Sequence, residues 1–226
     1  MSLEITLAAA AAIAGCAAVA MLARHESLKL RARRASIFDT VASMFDTQAV
    51  AIDAAGFPRL EGRFDGRQLR LELIPDTMTI RRLPQLWLSA TDVCDLPIEG
   101  RGLAILVRPS GADYYSLTEH MGERMNVPLE FPWECLIKGE SAASAATLSL
   151  VRDAAARLLA DARVKEIAAT GRGVRIVRQL AEGKRGEHLL LRQSDFEDAT
   201  VTPRDINGLA ADLKELSSVL ADRRNG

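Results

Sequence analysis

The chain holds three histidines and three cysteines, so few positions offer an imidazole or a thiol. His120 stands in Glu119-His120-Met121-Gly122-Glu123. On a helix, His120 and Glu123 share a face at a spacing that holds a metal or relays a proton. No second ligand set accompanies them, so the sequence predicts an ordinary surface histidine. Cys135 closes Phe131-Pro132-Trp133-Glu134-Cys135, with His120 15 residues upstream. A nucleophilic thiol needs a base within hydrogen-bond reach and a lowered pKa. The competing reading is a small apolar residue in a strand, since free cysteine is among the most buried residue types. His25 belongs to an N-terminal basic stretch and His188 to a polar turn. Asp92 with Asp95, and Asp195 with Glu197 and Asp198, match no calcium loop and read as solvated turns. There is no G-x-x-x-x-G-K-[ST], G-x-S-x-G, C-x-x-C or H-E-x-x-H, and Gly171-Arg172-Gly173 does not extend to a dinucleotide fingerprint. No catalytic, cofactor or metal residue is therefore assigned.

Recognition is better provided for than catalysis. Arg81, Arg82, Trp87, Tyr114, Tyr115 and Trp133 are the distinctive side chains of the middle region. Trp, Tyr and Arg dominate binding hot spots, so these six form the candidate binding surface. Trp87, between Leu86 and Leu88, is also read as a core residue. Aromatics make up only 4% of the chain, which disfavours a base-stacking platform. Residues 35–226 hold 24 basic and 28 acidic side chains, so no basic footprint for nucleic acid exists there. The expectation is a protein partner rather than a nucleic acid, and a non-enzymatic interaction or scaffold domain. A small-ligand or enzymatic pocket around His120 and Cys135 is the alternative.

Location is the firmer expectation. Ile5 to Ala23 is 19 residues without a formal charge, ten of them alanine. A helix of about 20 residues spans the hydrocarbon layer. Arg24, Lys29, Arg31, Arg33 and Arg34 follow against Glu26, a balance of +4. Basic flanks stay on the cytoplasmic side. The sequence thus predicts a single-pass anchor in a bacterial inner membrane, with the lipid bilayer as partner and the C-terminal domain in the cytoplasm. Two rivals stand beside it. Ala18-Val19-Ala20 resembles a signal cleavage site, but no positive residue precedes the apolar run. Ile13-Ala14-Gly15-Cys16 resembles a lipobox, but the apolar run continues seven residues past Cys16. With the domain in the cytoplasm, Cys94 and Cys135 are expected as buried, reduced thiols.

These residues must be positioned by an α+β domain. The organisation expected is an anchor over 1–23, a basic helical linker over 24–50 and a soluble domain over 51–226. Strands are expected over 59–64 and 67–74 about an Asp65-Gly66 hairpin turn. Leu69, Leu71 and Leu73 alternate there with Gln68, Arg70 and Glu72, as in a sheet covered on one side. Further strands are expected over 83–93, 103–107, 164–169, 174–180 and 187–192, with a short one at Leu136-Ile137. Pro84 suggests an edge position or a strand start. Helices are expected over 113–125 (short), 142–160 and from Thr202, an N-cap followed by Pro203 and a Leu stripe, to Arg223-Arg224. The architecture is an antiparallel or mixed sheet with helices on one face.

One resemblance adds to this reading. Phe57-Pro58-Arg59-Leu60, Gly62, Gly66-Arg67, Asp76-Thr77-Met78 and Arg82-Leu83-Pro84-Gln85-Leu86-Trp87-Leu88 together resemble uncharacterised membrane-anchored proteins of alphaproteobacteria. The resemblance implies a location and no activity.

Overall fold

Helix α1 runs unbroken over Ser2–Ala35 in the computed structural model, which describes residues 2–77, 83–183, 196 and 199–222. Leu7, Ile13, Val19, Met21 and Leu22 on α1 are each between 63 and 71% exposed. Among the described residues, however, no helix is long and apolar enough to cross a membrane. The described stretch is mostly alanine, which is weakly apolar, and Arg24, His25 and Glu26 follow it directly. Of the span expected over 1–23, the described residues from Ser2 on are helix, but they are not matched as a span.

The expected linker over 24–50 is not a linker. After α1 the chain makes a 3₁₀ turn at Ser36–Phe38 and a short helix α2, Asp39–Ala42. Ile37, Phe38, Val41 and Phe45 are buried in the main core. The Thr40 hydroxyl donates to Val201 O at 2.7 Å, tying this segment to the far end of the chain. The apolar spacing over 37–45 thus marks a core contact. From Thr47 the chain is already strand β1, Thr47–Ile52. All six of its residues are exposed, so β1 carries no burial alternation for a sequence reading to find.

Eight further strands follow: β2 Pro58–Phe64, β3 Arg67–Asp76, β4 Gln85–Val93, β5 Leu103–Val107, β6 Glu123–Met125, β7 Cys135–Gly139, β8 Val164–Thr170 and β9 Gly173–Glu182. They form one sheet in the order β1-β2-β3-β4-β9-β8-β5-β7-β6, every described pairing antiparallel. The β2–β3 hairpin turns on Asp65 (φ 49°) and Gly66 (φ 74°), the two left-handed residues that a twisted two-residue hairpin requires. Leu69, Leu71 and Leu73 are buried as their alternation predicts. Pro84 precedes β4, which lies between β3 and β9. It marks a strand start and not an edge, because a proline there removes no ladder bond.

Helices α3, Ser141–Leu159, and α4, Pro203–Ala221, pack on each other. α3 also lies on β5 and β8, and α4 on β4 and β9. Thr202 caps α4 through the Asp205 N–H while the Asp205 carboxylate accepts the Thr202 N–H. Ile206, Leu209, Leu213, Leu216 and Leu220 then form its buried stripe. Asp92 is sealed beneath α4 against Arg67, which also reaches Ser217. It is no solvated turn residue, because strand alternation turns its side chain under the helix; Asp95 is exposed as expected. The strand expected over 187–192, the Asp195, Glu197 and Asp198 group, and Arg223-Arg224 lie outside the described residues.

The expected helix over 113–125 shrinks to a 3₁₀ turn at Leu117–His120. Ser116 caps that turn, but strand β6 begins at Glu123. Residues 109–121 otherwise run as a strap over the sheet face opposite α3 and α4. That strap frames the site.

Candidate functional site

Strand β8 carries the local irregularity that builds the site. Its register against β9 shifts between Val164 and Glu166. Such a bulge breaks the strict inward–outward alternation of a strand. Lys165 and Glu166, adjacent in sequence, both meet the strap. The Lys165 ammonium lies 3.0 Å from Asp113 Oδ1 and donates to Arg108 O at 2.6 Å. It also sits 5.9 Å from the centre of the Trp87 ring. Glu166, fully buried, accepts the Leu117 N–H and binds the Arg175 guanidinium. Arg175 in turn donates to Tyr115 O at 2.8 Å. Each end of the strap is thereby held by a buried ion pair on the sheet.

The first turn of the strap is organised by Asp113. Its carboxylate accepts the Ser110 N–H at 2.6 Å and faces the Tyr115 hydroxyl at 3.4 Å. Burial alone would raise its pKa, but the Ser110 N–H and the Lys165 ammonium outweigh burial and hold it below the usual carboxylate range. Burial, then the Asp113 charge, pushes the Tyr115 hydroxyl well above its ordinary value. Tyr115 is therefore a neutral hydrogen-bonding group here. Arg108, just before the strap, holds a left-handed backbone (φ 49°), a conformation that strains a residue bearing a Cβ. Its guanidinium donates to Ala162 O and Val164 O, each at 2.7 Å, which clamps the start of β8.

A cavity of about 280 Å³ opens beside these groups, lined by Trp87, Lys165, Asp113, Asp76, Arg108 and Gln179 among others. Trp87 Nε1 and Ser89 Oγ, on the same face of β4, are buried without a hydrogen-bond partner. A buried N–H that goes unpaired is uncommon in native proteins. The cavity therefore offers charged side chains and an indole wall, which suits binding. The charges are committed to one another and to the strap. Among the described residues no group of three or more His, Cys, Asp and Glu side chains is placed to hold a metal.

No family model, curated protein or solved structure matches this chain.

The residues singled out from the sequence divide in three. Trp87, Tyr114 and Tyr115 converge: Trp87 and Tyr115 stand 5.9 Å apart by ring centres, and Tyr114 meets Tyr115 edge-on at 5.5 Å. The Tyr114 hydroxyl donates to Pro75 O at 2.8 Å, leaving its ring half exposed. Trp133 does not join them; it is 89% exposed in the loop before β7. Arg81 and Arg82 lie outside the described residues, as does His188.

The alternative pocket around His120 and Cys135 is not formed. Cys135 is packed in the core that α3 and α4 cover, and burial pushes its thiol to about 11. His120 is exposed at the end of the 3₁₀ turn, beside Arg101, Leu117 and Glu119. His120 and Glu123 share no helix face, because Glu123 already belongs to β6. Cys94 is half-buried rather than sealed; burial and the Asp92 charge push it to about 11, and all three cysteines are free thiols.

Sequence reasoning missed Lys165, Glu166, Asp113, Asp76 and Arg175. One signal was available: Lys165-Glu166 interrupts the apolar run Val164 to Ala169, and charges inside a buried strand must find partners.

Proposed function

We propose that this chain is a membrane-tethered, non-enzymatic interaction domain. α1 attaches it to the bilayer, and the strapped sheet face carries the recognition surface. The observation that supports the tether is the distribution of exposed apolar side chains on α1. With about 100° between successive residues, Ile13, Val19, Met21 and Leu22 fall at about 240°, 120°, 320° and 60° from Leu7. The apolar character thus encircles the helix. A helix that packs on one protein partner carries a stripe, whereas apolar side chains on every side suit immersion in lipid or in a larger core. The uncharged run Ile5 to Ala23 has the length a span requires. The basic residues after it favour a cytoplasmic domain at an inner membrane.

Tyr114, exposed and backed by the buried Trp87 and Tyr115 rings, supports recognition, since an aromatic beside charged groups is a usual anchor of an interface. A second reading is favoured by one observation, the cavity of about 280 Å³ lined by Trp87 and charged side chains. In that reading the cavity takes a small polar ligand.

Membrane fractionation of the full chain tests the tether. The chain is expected to pellet with membranes and resist alkaline extraction. Ile13→Glu with Val19→Glu is expected to release it. A wild-type chain in the soluble fraction, or a variant that stays in the membrane, would overturn the proposal. A reporter fused to Gly226 reads topology: a signal from an export-only reporter would reverse the orientation.

A further inference from the structure

We infer that strand β1 and the β1–β2 turn, held against the basic end of α1, form a second membrane contact that docks on anionic headgroups and fixes how the domain sits. The inference rests on the tether proposed above.

The first support is mechanical. α1 continues without a break from the apolar run to Ala35. At 1.5 Å per residue, Arg31 and Arg34 stand about 10 and 15 Å along the axis from Arg24. The polar zone of one leaflet is roughly 5 to 8 Å deep. Arg31 to Arg34 therefore lie just above the headgroups, within about one screening length of their charge.

The second support is the packing of the turn on that stretch. Arg34 Nη1 donates to Ala55 O at 2.8 Å, and its guanidinium lies 4.7 Å over the Phe57 ring. Gly56 (φ +90°) approaches so closely that an added Cβ would stand 3.1 Å from Arg31 Cα. The turn over 53–57 is thus held at the same height as the basic residues.

The third support is the character of β1. Among the described strands it lies at the sheet edge, with every residue exposed, no charge and no proline. Soluble proteins protect such edges with charges, prolines, bulges or a covering element. Val50 and Ile52 are 51 and 58% exposed, and Ala54 and Ala55 continue the apolar rim. Charge decides what covers it. Residues 24–34 carry a balance of +4 beside this edge, while the remainder of the soluble part is acidic. Of the nearby acids, Glu26 pairs with Lys29 at 3.1 Å and Asp53 accepts the Phe57 N–H at 2.8 Å. An anionic, wet interface suits the net positive charge of this stretch, the apolar rim and the edge strand together.

The experiment is amide hydrogen exchange on the full chain in phosphatidylcholine nanodiscs, with and without phosphatidylglycerol. Exchange over 48–56 is expected to slow several-fold only in the anionic discs, and high salt is expected to restore it. Ile52→Asp, at an exposed position, is expected to abolish the slowing without releasing the chain. Equal exchange in both discs, with the chain inserted, would overturn this inference and leave the tether standing. Slowing that grows with the number of chains per disc would assign the edge to a second copy and overturn it. A chain that enters neither disc would overturn the tether and this inference with it.

Discussion

Lys165 Nζ and Asp113 Oδ1 lie 3.0 Å apart with both side chains at least 94% buried, the most enclosed ion pair among those described. The two residues come from β8 and from the strap, so the pair holds the strap to the sheet. Removing one partner strands a charge in the interior, which costs about 3–5 kcal/mol. Lys165→Met is expected to lose that much in urea unfolding. Lys165→Met with Asp113→Leu is expected to lose far less, because no orphan charge remains. A single variant within about 1 kcal/mol of wild type would show that the pair does not hold the strap.

The same pair sets a pH dependence. The folded Asp113 carboxyl sits below the ordinary value of 3.8. A carboxyl with a depressed pKa contributes stability above its unfolded pKa and loses it as pH falls toward the folded one. The acid limb below about pH 3.8 should therefore steepen with Asp113 present and flatten in Asp113→Asn. Identical acid limbs in denaturant titrations would show that Asp113 is not linked to folding.

Glu166 anchors the far end of the strap through Leu117 N–H and Arg175. Glu166→Gln keeps an acceptor for the amide but removes the charge that Arg175 faces. The strap amides at Tyr115 to Thr118 are then expected to exchange faster, with the sheet amides unchanged. Global acceleration would mean that Glu166 stabilises the whole sheet and not the strap.

How much was legible in the sequence depends on the range of the interaction. The β2–β3 hairpin was readable because Asp65-Gly66 specifies its turn locally and the leucines of β3 alternate beside it. α4 was readable because Thr202, Pro203 and Asp205 are a complete local start signal. β1 was not, since an edge strand exposed on both faces has no periodicity. The helix expected over 113–125 failed for a tertiary reason: a Cβ at Gly122 would lie 2.7 Å from Gly139 O, so the chain passes tightly along β7 instead of coiling. In the site, Trp87, Tyr114 and Tyr115 were recognisable by type. Lys165 and Glu166 were not, because a bulge exists only relative to the neighbouring strand.

The cap of α4 gives a fourth measurable consequence. Thr202 accepts the Asp205 N–H and Asp205 accepts the Thr202 N–H. Removing such a cap costs typically about 1 kcal/mol. Thr202→Ala is expected to lose that amount and Thr202→Ser to retain most of it. Because α4 covers β4 and β9, the loss should appear in global unfolding and not as local fraying. Equal stability of the Ala and Ser variants would show that the hydroxyl does not cap the helix.

The thiols test the core of the domain and the tether in one assay. Burial holds Cys135 at about 11, and burial with the Asp92 charge holds Cys94 there too. At pH 8 only about one thiol in a thousand is then ionised, and the thiolate is the nucleophile. Cys16, on α1, is exposed in the isolated chain. In detergent-free membranes the proposed tether places Cys16 in lipid, where a charged maleimide does not reach. No cysteine is therefore expected to label quickly in intact membranes. Mild denaturant should release Cys94 and Cys135 together with the loss of the fold, while Cys16 stays protected. Rapid labelling of Cys16 in membranes would contradict the tether. Rapid labelling of Cys135 in the native state would place its thiol outside the core.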